Sequence, residues 1–155
     1  MMDIKTYSRG KVIFRQGDPG DCMYSVQMGS VGIFHDYGGP NEEKLATLMT
    51  DEFFGEMGLF DHASRSATAV ALEDQTSIEV ITEEDFKEYF KENPNKVLLL
   101  MQQMCSRLRR TTREYVQACQ VIRETVESEK TGEKSDDLTE RIAQLSQNYT
   151  HFRFV

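Results

Sequence analysis

The periodicity of this chain changes at Thr82, and that change limits what it can fold into. Before Thr82, apolar residues recur in short runs broken by turn chemistry; from Asn95 to about Glu127 no Gly or Pro interrupts the sequence at all. Cys22, Tyr24, Val26 and Met28 alternate with Met23, Ser25 and Gln27, the pattern of a half-buried strand. Further β-type runs occupy 11–15, 30–35, 44–50, 67–72 and 75–81. Gly17-Asp18-Pro19-Gly20, Gly29, Gly38-Gly39-Pro40-Asn41 and Glu73-Asp74 separate them. Many short strands at such spacing predict an antiparallel sandwich or barrel.

At Thr82 the chemistry becomes helical. Thr82 and Asp85 have the spacing of a capping box, and Phe86, Tyr89 and Phe90 form the apolar face of a short helix ending near Asn93-Pro94. A second helix is expected from about Asn95 to Glu127, a rod of roughly 50 Å. Its apolar seam alternates spacings of four and three: Val97, Met101, Met104, Leu108, Thr111, Tyr115, Ala118, Ile122. Such a seam serves either as a stripe docked on the parent domain or as a two-stranded coiled coil. The length of the helix and its near-3.5-residue repeat favour the coiled coil, and so a parallel homodimer. The expected organisation is therefore a β domain with short helices over 1–94, a long helix over 95–127, and a tail over 128–155. In the tail, 129–135 reads as a linker. A short helix is expected from Asp136 or Asp137 to about Asn148, followed by the aromatic end His151–Val155.

Composition narrows the function classes. With 155 residues the chain has enough length for one self-sufficient core. Its longest apolar run, Val97–Met101, is far too short to span a bilayer, and the N-terminus lacks a signal-peptide core, which together predict a cytoplasmic protein. Cys22, Cys105 and Cys119 have no metal-ligand spacing and read as reduced thiols. The net charge of −8 argues against general nucleic-acid binding. That charge is uneven: residues 1–95 carry 18 acidic and 8 basic side chains, whereas 96–123 carry 6 basic and 1 acidic.

The segment with chemistry in it runs from Phe53 to Ala71, two strands joined by a compact turn with helical potential from Glu56 to Phe60. Arg65 offers a bidentate fork to phosphate oxygens, and the Ser66 hydroxyl offers a further hydrogen bond. Backbone N–H groups after Gly55 can face an anion, and ionised Glu56 accepts from a sugar hydroxyl or from the amides of the turn. Together these groups suit a sugar ester with a single phosphodiester charge. No Walker-type phosphate loop occurs in the chain.

Gly55-Glu56-Met57-Gly58-Leu59 followed by Arg65-Ser66-Ala67-Thr68 resembles the phosphate-binding cassette of the cyclic-nucleotide-binding domain family, the module of bacterial catabolite activators and cAMP-dependent kinase regulatory subunits. Gly17-Asp18, Tyr24-Ser25-Val26 and Gly29-Ser30-Val31 resemble its strand and turn pattern, and the likeness covers about residues 5–127. The resemblance implies a double-stranded β-helix, a jelly-roll-like β-roll of eight strands, followed by a long dimerisation helix. It casts Glu56 as acceptor for the ribose 2′-hydroxyl, Gly55 and the amides after it, Met57 included, as the close approach to sugar and phosphate, and Arg65 and Ser66, with Ala67 after them, as the phosphate site.

The stretch Met104–Thr112 resembles the catabolite activators' dimer helix, which implies base contacts from Thr111 and Thr112 and places Arg107 near the ligand. Ser66 after Arg65 resembles the adenine-binding members, so cAMP is the first expected ligand and cGMP the second, with no other cofactor. Catabolite activators continue into a DNA-binding domain. Here 28 residues follow Glu127, without a basic recognition helix, so the expected output is through a separate effector protein and not through DNA. The alternative is a fold that has lost its ligand and serves as a dimeric interaction module. No nucleophile and base pair is evident, and His62 and Cys22 lack metal-site spacing, so neither an enzyme nor a metalloprotein is expected.

Overall fold

The computed structural model describes residues 3–131, with side chains through Glu127. Eight strands and three helices make up these residues. The strands are β1 (Asp3–Tyr7), β2 (Val12–Phe14), β3 (Cys22–Met28), β4 (Val31–His35), β5 (Glu43–Leu48), β6 (Phe53–Phe54), β7 (Thr68–Ala71) and β8 (Thr76–Thr82). Helix α1 (Glu56–Asp61) links β6 to β7, and α2 (Glu83–Glu92) and α3 (Pro94–Thr131) follow β8. The strands form two four-stranded antiparallel sheets, β1-β8-β3-β6 and β2-β7-β4-β5. This is the expected β-roll with its long C-terminal helix. β1 lay outside the strand pattern read from the sequence because four of its five residues are exposed, leaving no apolar alternation; register with β8, Asp3 opposite Val80 through Tyr7 opposite Thr76, holds it in place.

One core fills the space between the sheets: Cys22, Tyr24, Val26, Phe54, Ile78 and Val80 from the first meet Val31, Leu48 and Ala69 from the second. A second core lies on the other face of the first sheet, where Met23, Phe53 and Ile81 pack with Leu59 of α1, Tyr89 and Phe90 of α2 and Leu100 of α3. The half-buried reading of β3 is corrected here. Met23 and Ser25 are fully buried, because helices cover the face that alternation assigned to solvent, whereas Met28 at the strand end is half-exposed. A strand buried on both faces has no reason to alternate.

The expected cap at Thr82 is present, with the Asp85 carboxylate bonded to the Thr82 hydroxyl in place of its backbone N–H. Thr82 Oγ1 accepts from the Asp85 N–H at 3.2 Å and donates to Asp85 Oδ2 at 2.6 Å, and α2 stops at Asn93. Helix α3 continues to Thr131, into the first residues of the expected linker, since nothing before Gly132 terminates it. The rest of that linker, the helix expected over 136–148 and the aromatic end lie outside the described residues.

The chain forms two compact units that divide after Gln103. The first holds the roll, α1, α2 and the opening turns of α3; the remaining described length of α3 belongs to the second. Along α3 the seam residues Val97, Met101, Met104, Leu108, Tyr115 and Ile122 are exposed. Among the described residues no helix is long and apolar enough to cross a membrane.

Candidate ligand site

Arg65 enters the interior of the roll just ahead of β7. Its N–H donates to the Asp18 carbonyl at 2.8 Å and its carbonyl accepts from the Gly17 N–H at 2.9 Å, so the turn before β3 fixes its backbone. The side chain is 2% exposed. Its guanidinium carbon lies 4.5 Å from the centre of the Phe14 ring and 5.5 Å from that of Tyr24, and these two rings stack with each other and with Phe54. Nη1 donates to the Gly55 carbonyl at 2.7 Å, and Nη2 donates to Cys22 Sγ at 3.4 Å. Nη2 also lies 3.9 Å from Oδ1 of Asp21, whose side chain is 85% exposed. The buried Nε has no hydrogen-bond partner.

This arrangement has a chemical direction. A buried cation is costly unless paired, and ring faces and a neutral carbonyl compensate it only in part. The nearby carboxylate reaches it from solvent, where ion pairs contribute little. The guanidinium therefore remains a net positive charge inside an apolar box, with its Nε donor unused, and an anion entering the roll would gain charge-assisted hydrogen bonds.

Gly55 makes the close approach possible. It sits in the left-handed region with φ 72° as the residue before α1, and a Cβ there would fall 2.7 Å from Arg65 Nη1 and 3.2 Å from the Tyr24 ring. Within α1, Gly58 meets Gly20 backbone to backbone: a Cβ on Gly20 would lie 2.6 Å from the Gly58 Cα. Two glycines thus seat α1 against the turn that also holds the Arg65 backbone. In the first turn of α1, Glu56 is buried at 3% exposure, although a surface helix ordinarily presents its carboxylates to water.

Cys22 and Tyr24 continue the polar chain behind the arginine. Cys22 Sγ accepts from Arg65 and donates to the Tyr24 hydroxyl at 3.1 Å. Burial, reinforced by the contact with Cys22, pushes the Tyr24 phenol well above its ordinary value, so it stays neutral at physiological pH. The three cysteines are free, and among the described residues no cluster of His, Cys, Asp or Glu has the arrangement of a metal site.

A sequence profile described as the cyclic nucleotide-binding domain matches residues 4–93. The chain belongs to this family. It is 45% identical over 82 residues to the cyclic AMP receptor protein of Thermus thermophilus, covering 53% of this chain and 38% of that one. The crystal structure of the Thermus thermophilus catabolite activator protein superposes with a TM-score of 0.66 at 36% identity, over 76% of this chain and 55% of that chain. A solved structure of the EAL enzyme Bd1971 superposes with a TM-score of 0.54 at 34% identity, over 72% of this chain and 99% of that chain. Cyclic nucleotide-binding folds of this kind thus occur in a receptor, an activator and an enzyme. The chain spans little more than a third of the length of its curated Thermus relative.

Within this cyclic nucleotide-binding domain, Gly55 and Arg65 are in direct contact, and Glu56, next to Gly55 in sequence, is buried. Ala67 is buried at the entry to β7, whereas the Ser66 and Met57 side chains are exposed. Arg107, Thr111 and Thr112 lie on α3 in the second unit; Thr111 and Thr112 are exposed and Arg107 is partly buried. Sequence reasoning missed Phe14, Cys22, Tyr24 and Asp21 around Arg65. Phe14 and Tyr24 read only as strand residues, because a ring that stacks on a cation has the same alternation as a ring that fills a core.

Proposed function

We propose that this chain is a regulatory cyclic-nucleotide sensor in which the cyclic phosphate binds Arg65 inside the roll, with cAMP preferred over cGMP. The observation that carries this reading is the Arg65 guanidinium, buried among Phe14, Tyr24 and Gly55 with an unpaired Nε. A phosphodiester has one negative charge, matching the one cation in the box. On binding, the fork would exchange a carbonyl and a thiol for phosphate oxygens, Ser66 would add its hydroxyl, and buried Glu56 would accept from the ribose. Glycine at 55 lets sugar and phosphate approach the backbone, with Met57 and Ala67 flanking. The name of the Thermus relative, a cyclic AMP receptor, supports the choice of ligand.

In the same reading α3 is a homodimer helix. Its exposed apolar seam supports self-association through a second copy, and Arg107, Thr111 and Thr112 are the residues we assign to base and ligand contacts from that helix. Ligand that favours one arrangement of the helix shifts the population toward it, and a separate effector protein reads the change in the cytoplasm. The acidic balance of residues 1–95 suits a protein partner better than nucleic acid. The chain itself has no catalytic role in this scheme.

A second reading rests on the fork being occupied already by Gly55 and Cys22: the fold keeps its arginine for structure and acts as a dimeric interaction module. Calorimetric titration with cAMP and cGMP, alongside thermal melting, separates the two. At a hundredfold excess over Kd, a true ligand adds about 2.7 kcal/mol of stability. Folded protein that neither binds nor shifts with either nucleotide rejects the sensor reading.

A further inference from the structure

Strand β6 is only two residues long and forms the edge of its sheet, with β3 as its one neighbour. Phe53 in this strand is fully buried, so its backbone polar groups cannot turn to water. A single side chain serves both: the Phe53 N–H donates to Gln103 Oε1 at 3.0 Å, and Gln103 Nε2 donates to the Phe53 carbonyl at 3.1 Å. A primary amide offers the complementary donor and acceptor of a peptide group, so Gln103, projecting from α3, acts as the missing neighbouring strand.

The consequence follows along the backbone. Two residues after Phe53, the Gly55 carbonyl accepts from Arg65 Nη1, and α1 begins. Other contacts of the opening turns of α3 are made through side chains: Lys96 reaches the Tyr89 hydroxyl at 3.0 Å and lies 3.9 Å from Glu79, and Leu100 packs in the second core with the Phe53 and Leu59 side chains. Gln103 instead binds the backbone that leads directly into the arginine's partner.

We infer that Gln103 is the positioning residue that couples α3 to the ligand site, holding the Phe53–Gly55 segment so that release of the Gly55 carbonyl by Arg65 is felt at the helix. This rests on the reading of Arg65 as the cyclic-phosphate site. Gln103 touches no ligand; it acts through Phe53.

The test uses the full chain with cAMP as probe. Calorimetry gives affinity, and hydrogen exchange of the α3 backbone amides, with and without saturating cAMP, gives the response of the helix. Wild type is expected to bind cAMP and change its α3 exchange rates. Gln103→Leu is expected to bind within about tenfold of wild type while losing about fivefold or more of the α3 response, the scale of a typical coupling. The exposed neighbour substitution Gln102→Leu is expected to keep that response in full. If Gln103→Leu does not fold, Gln103→Glu, which retains an acceptor for the Phe53 N–H but has no donor for its carbonyl, makes the same comparison. A full α3 response in the folded Gln103 variant overturns the coupling, as does wild type that binds cAMP with no response in α3. Wild type that binds no cAMP overturns the ligand reading itself, and the coupling with it.

Discussion

Arg65 and Gly55 are matched by conformation as well as by charge: the guanidinium Nη1 donates to the Gly55 carbonyl at 2.7 Å, and the same nitrogen occupies the space that a Cβ at position 55 would need. The left-handed backbone at Gly55 excludes most side chains for an independent reason. One residue thus gives the arginine both its partner and its room.

Substitution Gly55→Ala is expected to destabilise the unliganded domain by about 1–2 kcal/mol, the cost of an alanine in the left-handed region. It is also expected to weaken cAMP binding, because Arg65 must move. Urea denaturation and calorimetry on the same preparation measure both effects; wild-type values for both would show that the contact is incidental.

Arg65→Lys keeps the charge and removes the planar fork. Loss of a charge-assisted hydrogen bond of about 1.5–3 kcal/mol predicts cAMP affinity lower by about tenfold to a hundredfold. Arg65→Ala is expected to lower the unliganded melting temperature as well, since its guanidinium packs on the Phe14 and Tyr24 rings. A neutral alanine variant would mean that the arginine contributes nothing to the folded roll.

Alkaline pH is expected to unfold the domain by way of its buried phenols. Burial raises both Tyr24 and Tyr89, Tyr24 with help from Cys22 and Tyr89 against the opposing effect of Lys96. A folded value above the unfolded one means their contribution to stability is complete below about pH 10, where unfolded tyrosine titrates, and is lost as pH rises toward the folded values. Urea midpoints should therefore fall above about pH 10, with part of the phenolate absorbance appearing together with unfolding. Independent titration of every tyrosine before unfolding would contradict this.

The α3 seam predicts a dimer by sedimentation. Leu108 and Ile122 are 68% and 63% exposed, and burying such side chains contributes about 1.5–3 kcal/mol each. Leu108→Glu and Ile122→Glu should each weaken self-association by about tenfold or more. Sedimentation of wild type as a monomer at micromolar concentration would remove the helix from the dimer scheme.

The cap at Thr82 offers a local check. Thr82→Ala removes the acceptor of the Asp85 N–H and is expected to cost about 1 kcal/mol of stability in urea. An unchanged midpoint would mean that α2 draws its start from packing alone.

Much of this molecule was legible as local pattern. The turns at Gly17–Gly20, Gly29 and Gly38–Asn41, the cap at Thr82 and the uninterrupted α3 depend on residues a few positions apart, and neighbours in sequence decide backbone preference directly. The cassette was legible too, because Gly55, Glu56 and Arg65 fall within one short segment. The surroundings of its arginine were not. Phe14 and Arg65 are fifty-one residues apart, as are few contacts that a periodicity can encode; Gln103 and Phe53 lie fifty apart. Alternation in β3 pointed to one buried face, yet Met23 and Ser25 are buried because α1, α2 and α3 cover the other. By itself, then, the sequence determined the order of the strands after β1 and of the helices, their boundaries within a few residues, and the candidate phosphate groups. Only the tertiary structure decided that Arg65 sits buried against stacked aromatic rings with an unused donor and that β6 is completed by a side chain from α3, since both arise from long-range packing that local propensity does not specify.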